Sequence, residues 1–195
     1  MEIHKLHGQA DRWTKQFIRL PHLLYKKSRY WVPPFNNEMK RVIGKEHPYY
    51  EHSDGEFFVA VKDEKPAGRI AVFENTLFNK KHGSNAATFY YFDSIENEEV
   101  SHNLLVAACS WARDRGLDHI LGPMFSGGAS GSGILIEGFE ERAAMTMMGY
   151  NYPYYQRLIE AEGFEKRRDY ISAVIDGSAF AMPDKINRLA EISLK

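Results

Sequence analysis

The clearest helical pattern in the chain spans residues 100–115, and three strand patterns come before it. Apolar residues recur every three to four positions along this helix, and Gly116 stands where a helix-terminating glycine is expected. Residues 56–61 and 67–73 are apolar runs joined by a polar turn, which predicts a hairpin. Residues 86–92, rich in aromatic side chains, predict a third strand. Consecutive strands followed by a helix predict an α+β domain and not a doubly wound sheet.

Weaker patterns fill in the rest of the chain. Two further helices precede the hairpin, one bent or split by Pro21 and one capped by Asn36 or Asn37. The other expected elements are an edge strand at 1–6, a polar loop at 79–85, a strand at 118–124, a short helix at 153–162, a last strand at 170–175 and a helix beginning at 183. We expect a single domain over residues 1–176, followed by a C-terminal extension over 177–195. The start of a second domain is the open alternative for that extension.

Composition limits the class of protein. The formal net charge of -1 gives no overall field that favours nucleic acid or an anionic membrane, so neither is an expected partner. Cys109 is the only cysteine, which excludes an intramolecular disulfide and fits a reducing compartment. The sequence shows no membrane span and no signal-peptide layout, so we expect a cytoplasmic protein. Eight scattered histidines lack zinc-site spacing, and no metal site is predicted.

A glycine-rich run, residues 122–138, is the most distinctive local feature. It holds six of the fifteen glycines, and clustered glycine lets backbone amides approach a ligand closely. It contains no Lys or Arg, matches no phosphate-loop spacing and has no Gly-x-Ser-x-Gly elbow. We interpret it either as a flexible loop or as a loop that faces substrate. In the second case the substrate-loop residues are Ser126, Gly127, Gly128 and Ser130.

Several polar residues are candidates for proton transfer. Glu74 and Asp93 each close a strand, where a carboxylate either deprotonates an amine acceptor or simply terminates the strand. His47 and His52 lie in one loop, as a source of a general base or as solvated side chains. Arg69 lies within an apolar strand, so it needs a partner, and a structural ion pair is the expected role.

The order of these elements, together with several short strings, resembles the GNAT acyltransferases. The strings are Trp31-Val32-Pro33-Pro34, Gly68-Arg69-Ile70-Ala71, Gly122-Pro123, Glu137-Gly138-Phe139, Pro153-Tyr154-Tyr155 and Gly163-Phe164-Glu165. As an ordered set they are similar to the N-terminal half of larger bacterial GNAT-like proteins. The resemblance implies a mixed, mostly antiparallel sheet flanked by helices. It also implies an acyl-CoA site where the strand at 86–92 parts from the strand at 118–124.

Two positions depart from the pattern that the resemblance implies. Family members hold the cofactor pyrophosphate on a glycine-rich loop that opens the long helix, whereas residues 93–99 here contain no glycine and no basic residue. Asp93 or Ser94 can cap that helix, with Glu96 or Asn97 reaching back. Members also often carry a tyrosine, acting as general acid, four residues before the Gly-Phe pair. Ile159 stands at that position here.

Two functions therefore remain open. The first is transfer of an acyl group from acetyl-CoA or another acyl-CoA to a small-molecule amine or a peptide. Its cofactor-binding residues would be Phe92, Asp93, Ser94 and Asn97, and its catalytic residues would be Tyr154, Tyr155 and Glu74. The second is a degenerate GNAT-like binding or scaffolding module that does not bind CoA in the usual way. In either case a homodimer or a missing C-terminal domain is a possible partner.

Overall fold

A five-stranded mixed sheet organises the protein in the computed structural model, which describes residues 1–125, 132–143, 148–173, 177–178 and 181–193. The strands are β1 (Glu2–Lys5), β2 (Asp54–Lys62), β3 (Lys65–Glu74), β4 (Ala86–Ser94) and β5 (His119–Leu121), and they lie in this order across the sheet. Neighbours from β1 to β4 are antiparallel, and β5 pairs in parallel with β4. This confirms the predicted α+β class and the mostly antiparallel sheet.

Six α-helices and one short 3-10 helix are described. They are α1 (Arg12–Leu24), α2 (Asn36–Ile43), the 3-10 helix (Pro48–Glu51), α3 (Thr76–His82), α4 (Glu98–Asp114), α5 (Tyr154–Glu160) and α6 (Asp184–Ser193). Helix α3 lies partly in the segment predicted as a polar loop, because Asn75 caps it by accepting from the Phe78 amide. In the described part of the chain no helix is long and apolar enough to cross a membrane.

Two expectations need correction. The last strand, expected at 170–175, is not formed by residues 170–173: they are exposed, and none of the described strands pairs with them. Pro21 does not split α1, which runs through it. A proline leaves the carbonyl four residues earlier without its helical donor. That carbonyl, on Phe17, accepts a hydrogen bond from Arg69 Nη1 at 2.8 Å, so the fold itself satisfies the gap.

The sheet separates two hydrophobic clusters. Side chains alternate along each strand, so neighbouring residues contribute to opposite faces. On one face α4 and α5 pack over residues such as Ile70 and Phe89. On the other, α1 and α2 pack over residues such as Val59 and Phe73.

A bulge in β4 re-aims the strand near its end. Arg69 of β3 pairs with Asp93, but Ala71 pairs with Tyr90, so Tyr91 and Phe92 together oppose one residue. Tyr91 adopts a φ of 51°, in the left-handed region. In the described residues β5 pairs with β4 only as far as Thr88. The second half of β4 therefore presents an edge that β5 does not cover.

Candidate functional site

The carboxylate of Asp93 is the centre of a buried polar network at the end of β4. Its Oδ2 accepts a hydrogen bond from Arg69 Nε at 2.7 Å. Its Oδ1 accepts from the hydroxyls of Tyr25 at 2.9 Å and Tyr155 at 3.3 Å. A buried charge needs such partners, because burial removes its hydration. The expected structural ion pair of Arg69 is confirmed, with Asp93 as its partner.

The two tyrosines of this network are bonded to each other as well. Their hydroxyl oxygens lie 2.6 Å apart. Burial, followed by the nearby Asp93 charge, raises the pKa of both Tyr25 and Tyr155 far above its ordinary value. Both hydroxyls therefore stay protonated, as hydrogen-bond donors. Tyr155 is enclosed in the core, and its hydroxyl is bonded within this network. The catalytic role expected for it stays a prediction.

Two tyrosines of α5 bind the edge of β4 that β5 does not cover. Because the Ile95 amide donates to Ala67 of β3, the polar groups of Ser94 face the other way, towards the edge that β5 leaves open. There the Ser94 amide donates to Tyr155 Oη at 3.2 Å. The Ser94 carbonyl accepts from Tyr154 Oη at 2.8 Å. Both backbone groups of this expected cofactor residue are thus already bonded.

The start of α4 is capped by its own neighbours. Asn97 is the N-cap residue and accepts from the Val100 amide at 3.1 Å. The expectation that Asp93 or Ser94 caps this helix is wrong, because β4 continues through both residues. Two glutamates, Glu98 and Glu99, occupy the first turn and complement the helix dipole.

Two cations from other elements bind this acidic start of α4. Arg157 of α5 pairs with Glu98 and, at 3.3 Å, with Glu96. Lys62 of β2 pairs with Glu99 at 2.8 Å. An incoming diphosphate would compete with three carboxylates for these cations. The junction is therefore built as a closed helix start, without the glycine loop that cradles phosphate.

The structure separates the two strand-end carboxylates. Antiparallel neighbours finish at opposite ends of a sheet, so Glu74 pairs with Ala87 while Asp93 pairs with Arg69. Glu74 thus lies near the beginning of β4, far from Tyr154 and Tyr155. Phe92 is buried in the face covered by α4, where its ring packs against Tyr155 at 5.6 Å. Ser126, Gly127, Gly128 and Ser130 lie outside the described residues.

A shallow cleft of about 500 Å³ lies at the Glu74 end of the sheet, lined in part by His47, Glu51 and His52. His47 Nδ1 accepts from the Tyr49 amide at 3.1 Å, so this histidine caps the 3-10 helix. Phe125, directly before the glycine-rich residues, packs on Tyr49 at 5.6 Å. The structure therefore brings the start of the glycine-rich run near this cleft.

Sequence reasoning missed Tyr25 as a member of the Asp93 network. It lies 68 residues from Asp93, and in the sequence it is only an apolar position at the end of the first helical pattern. Ile159, at the position of the family tyrosine, is buried in the core on α5 and offers no proton.

The comparisons with known proteins can be set against this geometry. No protein-family model matches the chain. The chain is 31% identical to Protein YghO of Escherichia coli (strain K12), over 81% of this chain and 40% of that protein. It is 27% identical to a bacterial ceramide synthase of Caulobacter vibrioides, over 83% of this chain and 42% of that protein. The chain thus spans about 40% of the length of these curated relatives.

Solved structures with similar folds are acetyltransferases or GNAT proteins. A tandem GNAT protein from the clavulanic acid biosynthesis pathway matches with a TM-score of 0.53 and 14% identity, over 83% of this chain and 43% of that one. An aminoglycoside acetyltransferase from an uncultured soil metagenomic sample, in complex with sisomicin, matches with a TM-score of 0.52 and 12% identity. The match covers 90% of this chain and 96% of that one. A predicted acetyltransferase from Clostridium acetobutylicum, with acetyl-CoA, matches with a TM-score of 0.50 and 12% identity. The match covers 89% of this chain and 95% of that one.

This chain has the fold of the GNAT acetyltransferases, which confirms the resemblance drawn from its sequence. Its partial coverage of longer relatives agrees with the expected likeness to one half of larger proteins.

Proposed function

We propose that this chain is a unit of an N-acyltransferase that moves an acyl group from acyl-CoA to an amine. The observation that carries the proposal is the bulged end of β4, which stands free of β5 in a GNAT fold. Bulges of this kind often lie next to active sites, where they re-aim a side chain or end the strand pairing. In the reaction, the neutral amine attacks the thioester carbonyl and a C–N bond forms. The C–S bond then breaks, the nitrogen gives up one proton to water, and CoA leaves as a thiolate that takes up a proton.

Tyr154 is the residue we assign to that proton. It is half-buried, and burial raises the pKa of its hydroxyl, so the group is protonated at neutral pH. Its hydroxyl already lies at the free edge of β4, where it donates to the Ser94 carbonyl. Tyr155 and Asp93 are assigned to holding this edge in place, because their polar atoms are bonded within the core. Glu74 pairs with Ala87, at the other end of β4, so we assign it no part in this step.

The acceptor we propose is a long-chain amine. One relative is named a bacterial ceramide synthase. A ceramide is the amide of a long-chain amino alcohol, so its synthesis by acyl transfer is N-acylation of an amine, the reaction proposed here.

A second candidate is supported by a specific observation. The closed start of α4 and the bonded Ser94 edge favour a GNAT-fold module that does not hold CoA in the usual way. In that case the chain would serve as a scaffold for another unit of a longer protein. One protein of similar fold is described as a tandem GNAT protein, and this chain covers 43% of it.

Ligand binding separates the two candidates. CoA, acetyl-CoA and a long-chain acyl-CoA are titrated into the chain, and Tm and heat are recorded. A bound ligand raises stability in proportion to the logarithm of its excess over Kd. We expect saturable binding of acyl-CoA, and absence of any shift at millimolar ligand would reject acyl-CoA binding by this chain.

Activity is then tested with a long-chain amino alcohol and with a short polar amine as acceptors. In Tyr154→Phe the ring remains and the proton is lost, so we expect about 10²-fold slower acyl transfer with an unchanged acyl-CoA Kd. Tyr170→Phe is the matched control, because Tyr170 is exposed. Equal rates for the two variants would remove Tyr154 from the mechanism.

A further inference from the structure

The charge of this chain is distributed very unevenly, although its total is close to zero. Residues 12–45 contain nine of the 25 Lys and Arg residues and only one of the 26 Asp and Glu residues. All nine of these cations are exposed. The segment therefore carries a strong positive charge, which the acidic remainder of the chain cancels in the sum over the chain. In space, one of the nine cations, Lys45, is paired with a carboxylate of that remainder, Asp54, at 2.6 Å.

The first part of this basic surface is a stripe along α1. Arg12, Lys15, Arg19 and Leu23 recur at intervals of three or four residues, which places them within roughly 80° of the helix circumference. All four are exposed. The buried residues of α1, among them Phe17 and Leu20, lie on the opposite side. The stripe therefore faces away from the sheet.

The second part is an apolar tip that follows α1. Lys26, Lys27 and Arg29 lead into it, and every residue from 32 to 38 is exposed. Within it Val32 is 69% exposed and Phe35 is 78% exposed, with Pro33 and Pro34 between them. We call residues 32–35 the apolar tip. Large apolar side chains so exposed and so close together are typical of an interaction surface.

The apolar tip stands on a well-anchored base. Trp31 stacks on Tyr25 with ring centroids 5.3 Å apart and meets the His22 ring edge-on at 5.2 Å. Ser28 Oγ accepts hydrogen bonds from the amides of Tyr30 and Trp31, at 3.3 and 3.2 Å. The two prolines fix their own φ angles. These contacts hold the chain that leads into the tip, and the prolines restrict the tip itself. Both effects lower the conformational entropy that docking on a partner would cost.

We propose that this basic surface and its apolar tip dock the protein on an anionic lipid bilayer. Val32 and Phe35 enter the headgroup region, while the cations of α1 and of residues 26–29 bind lipid phosphates. A bilayer accounts for both features, because nucleic acid would be met by the cations but gives no partner to Val32 or the prolines. The proposal departs from the expectation drawn from net charge alone. It does not depend on acyl transfer, although a long-chain amine acceptor would lie in the same bilayer.

Vesicle flotation tests the proposal with the purified chain and needs no acyl-CoA. Vesicles of phosphatidylcholine alone are compared with vesicles that contain about 30 mol% phosphatidylglycerol, a composition that gives a negative surface potential. We expect binding to the anionic vesicles only, weakened by salt. Val32→Ser/Phe35→Ser and, separately, Lys15→Gln/Arg19→Gln/Lys26→Gln should each lower the partition coefficient at least about tenfold.

A matched control lies on α3. Leu77 is 56% exposed and Lys80 and Lys81 are exposed, so Leu77→Ser/Lys80→Gln/Lys81→Gln removes similar groups from another surface. This control should bind like the parent chain. No flotation of the parent chain, or equal losses in the tip and control variants, would overturn the proposal. Binding of single-stranded RNA or DNA without binding of vesicles would overturn it in favour of a nucleic-acid surface.

Discussion

Asp93 joins four parts of the chain that are far apart in the sequence. Its carboxylate accepts hydrogen bonds from Arg69 on β3, from Tyr25 directly after α1 and from Tyr155 on α5. The residues Tyr25 and Tyr155 are separated by 130 positions. Because the group is buried, these partners replace the water that a carboxylate normally binds. One side chain thus positions α1 and α5 relative to the end of β4.

Asp93→Asn tests this at the residue scale. The substitution keeps the size of the side chain and removes the charge, so Arg69 is left buried without its counter-ion. We expect the free energy of unfolding to fall by about 3–5 kcal/mol, measured by urea denaturation. Asp118→Asn, at an exposed carboxylate, is the control and should change it by less than about 0.5 kcal/mol. Equal urea midpoints for both variants would contradict a structural role of Asp93.

The buried tyrosines predict a loss of stability in alkali. Burial and the Asp93 charge raise the pKa of Tyr25 and Tyr155 in the folded state, whereas the unfolded chain has the ordinary value of 10.0. Above about pH 10 only the unfolded chain releases these protons, so the free energy of unfolding falls as pH rises. Below that pH the contribution is fully present.

A comparison of the parent chain with Tyr25→Phe isolates the contribution of Tyr25 to this pH dependence of the free energy of unfolding. In Tyr25→Phe the decline of stability above about pH 10 should be shallower, by up to about 1.4 kcal/mol per pH unit. The measurement is urea denaturation at a series of pH values. Tyr170→Phe removes an exposed hydroxyl and should leave the slope unchanged. Identical slopes for the parent chain and Tyr25→Phe would show that Tyr25 ionises as easily when folded.

At the scale of elements, α4 packs directly on β3 because Gly68 has no side chain. A Cβ placed there would lie 2.6 Å from Leu104 Cδ1 and 2.8 Å from Val100 Cγ1. Both distances are far shorter than a normal carbon–carbon contact. The glycine of the Gly68-Arg69 string therefore sets the distance between the helix and the sheet.

Gly68→Ala should force α4 away from β3. We expect a loss of about 1–3 kcal/mol in the free energy of unfolding, typical of overpacking in a core, and a lower Tm. Gly149→Ala serves as the control, because a Cβ at that position meets no atom within 4 Å. A Gly68→Ala protein as stable as the Gly149→Ala protein would show that α4 can shift at no cost.

At the scale of the whole molecule, the core ends before the C-terminal segment begins. Phe164 still packs against Phe89, with ring centroids 5.4 Å apart. Residues 165–173 are all exposed and lie outside helices and strands. Helix α6 follows with Ile186 and Ile192 exposed. The two core clusters as described therefore include none of these later residues. The domain boundary at residue 176 stays a prediction.

Limited proteolysis tests that boundary. Exposed backbone outside secondary structure is cut first, so trypsin should cleave earliest after Lys166, Arg167 or Arg168. We expect a resistant fragment that begins at residue 1, ends at one of these positions and melts at the Tm of the parent chain. Mass spectrometry identifies the fragment. A first cut within α1–β4, or a fragment with a much lower Tm, would contradict the prediction.

Local patterns were sufficient for most elements of this fold. The hairpin, the aromatic strand and the long helix each have a periodicity that depends only on neighbouring residues. Helix α3 was missed because its signal is a single capping residue, Asn75, in a polar segment. Residues 170–173 gave a strand-like pattern, but a strand needs a partner strand, which a local pattern does not report.

The candidate site shows the same division. The absence of glycine and basic residues from the start of α4 is visible in the sequence, and so is Ile159 at the position of the family tyrosine. The position of Glu74 relative to Asp93 is not visible in the sequence, because it depends on the antiparallel pairing of β3 and β4. The role of Tyr154 at the Ser94 carbonyl likewise depends on a contact across 60 residues.

The sequence by itself determined the α+β class, the order of most elements and the resemblance to GNAT acyltransferases. These follow from periodicity, turn residues and composition, which act over a few positions of the chain. Only the tertiary structure decided which polar groups meet, since the Asp93 network joins residues up to 130 positions apart. It also showed that the cations of residues 12–45 and the apolar tip at residues 32–35 are all exposed. Net charge is a sum over the chain, whereas binding depends on where each charge lies.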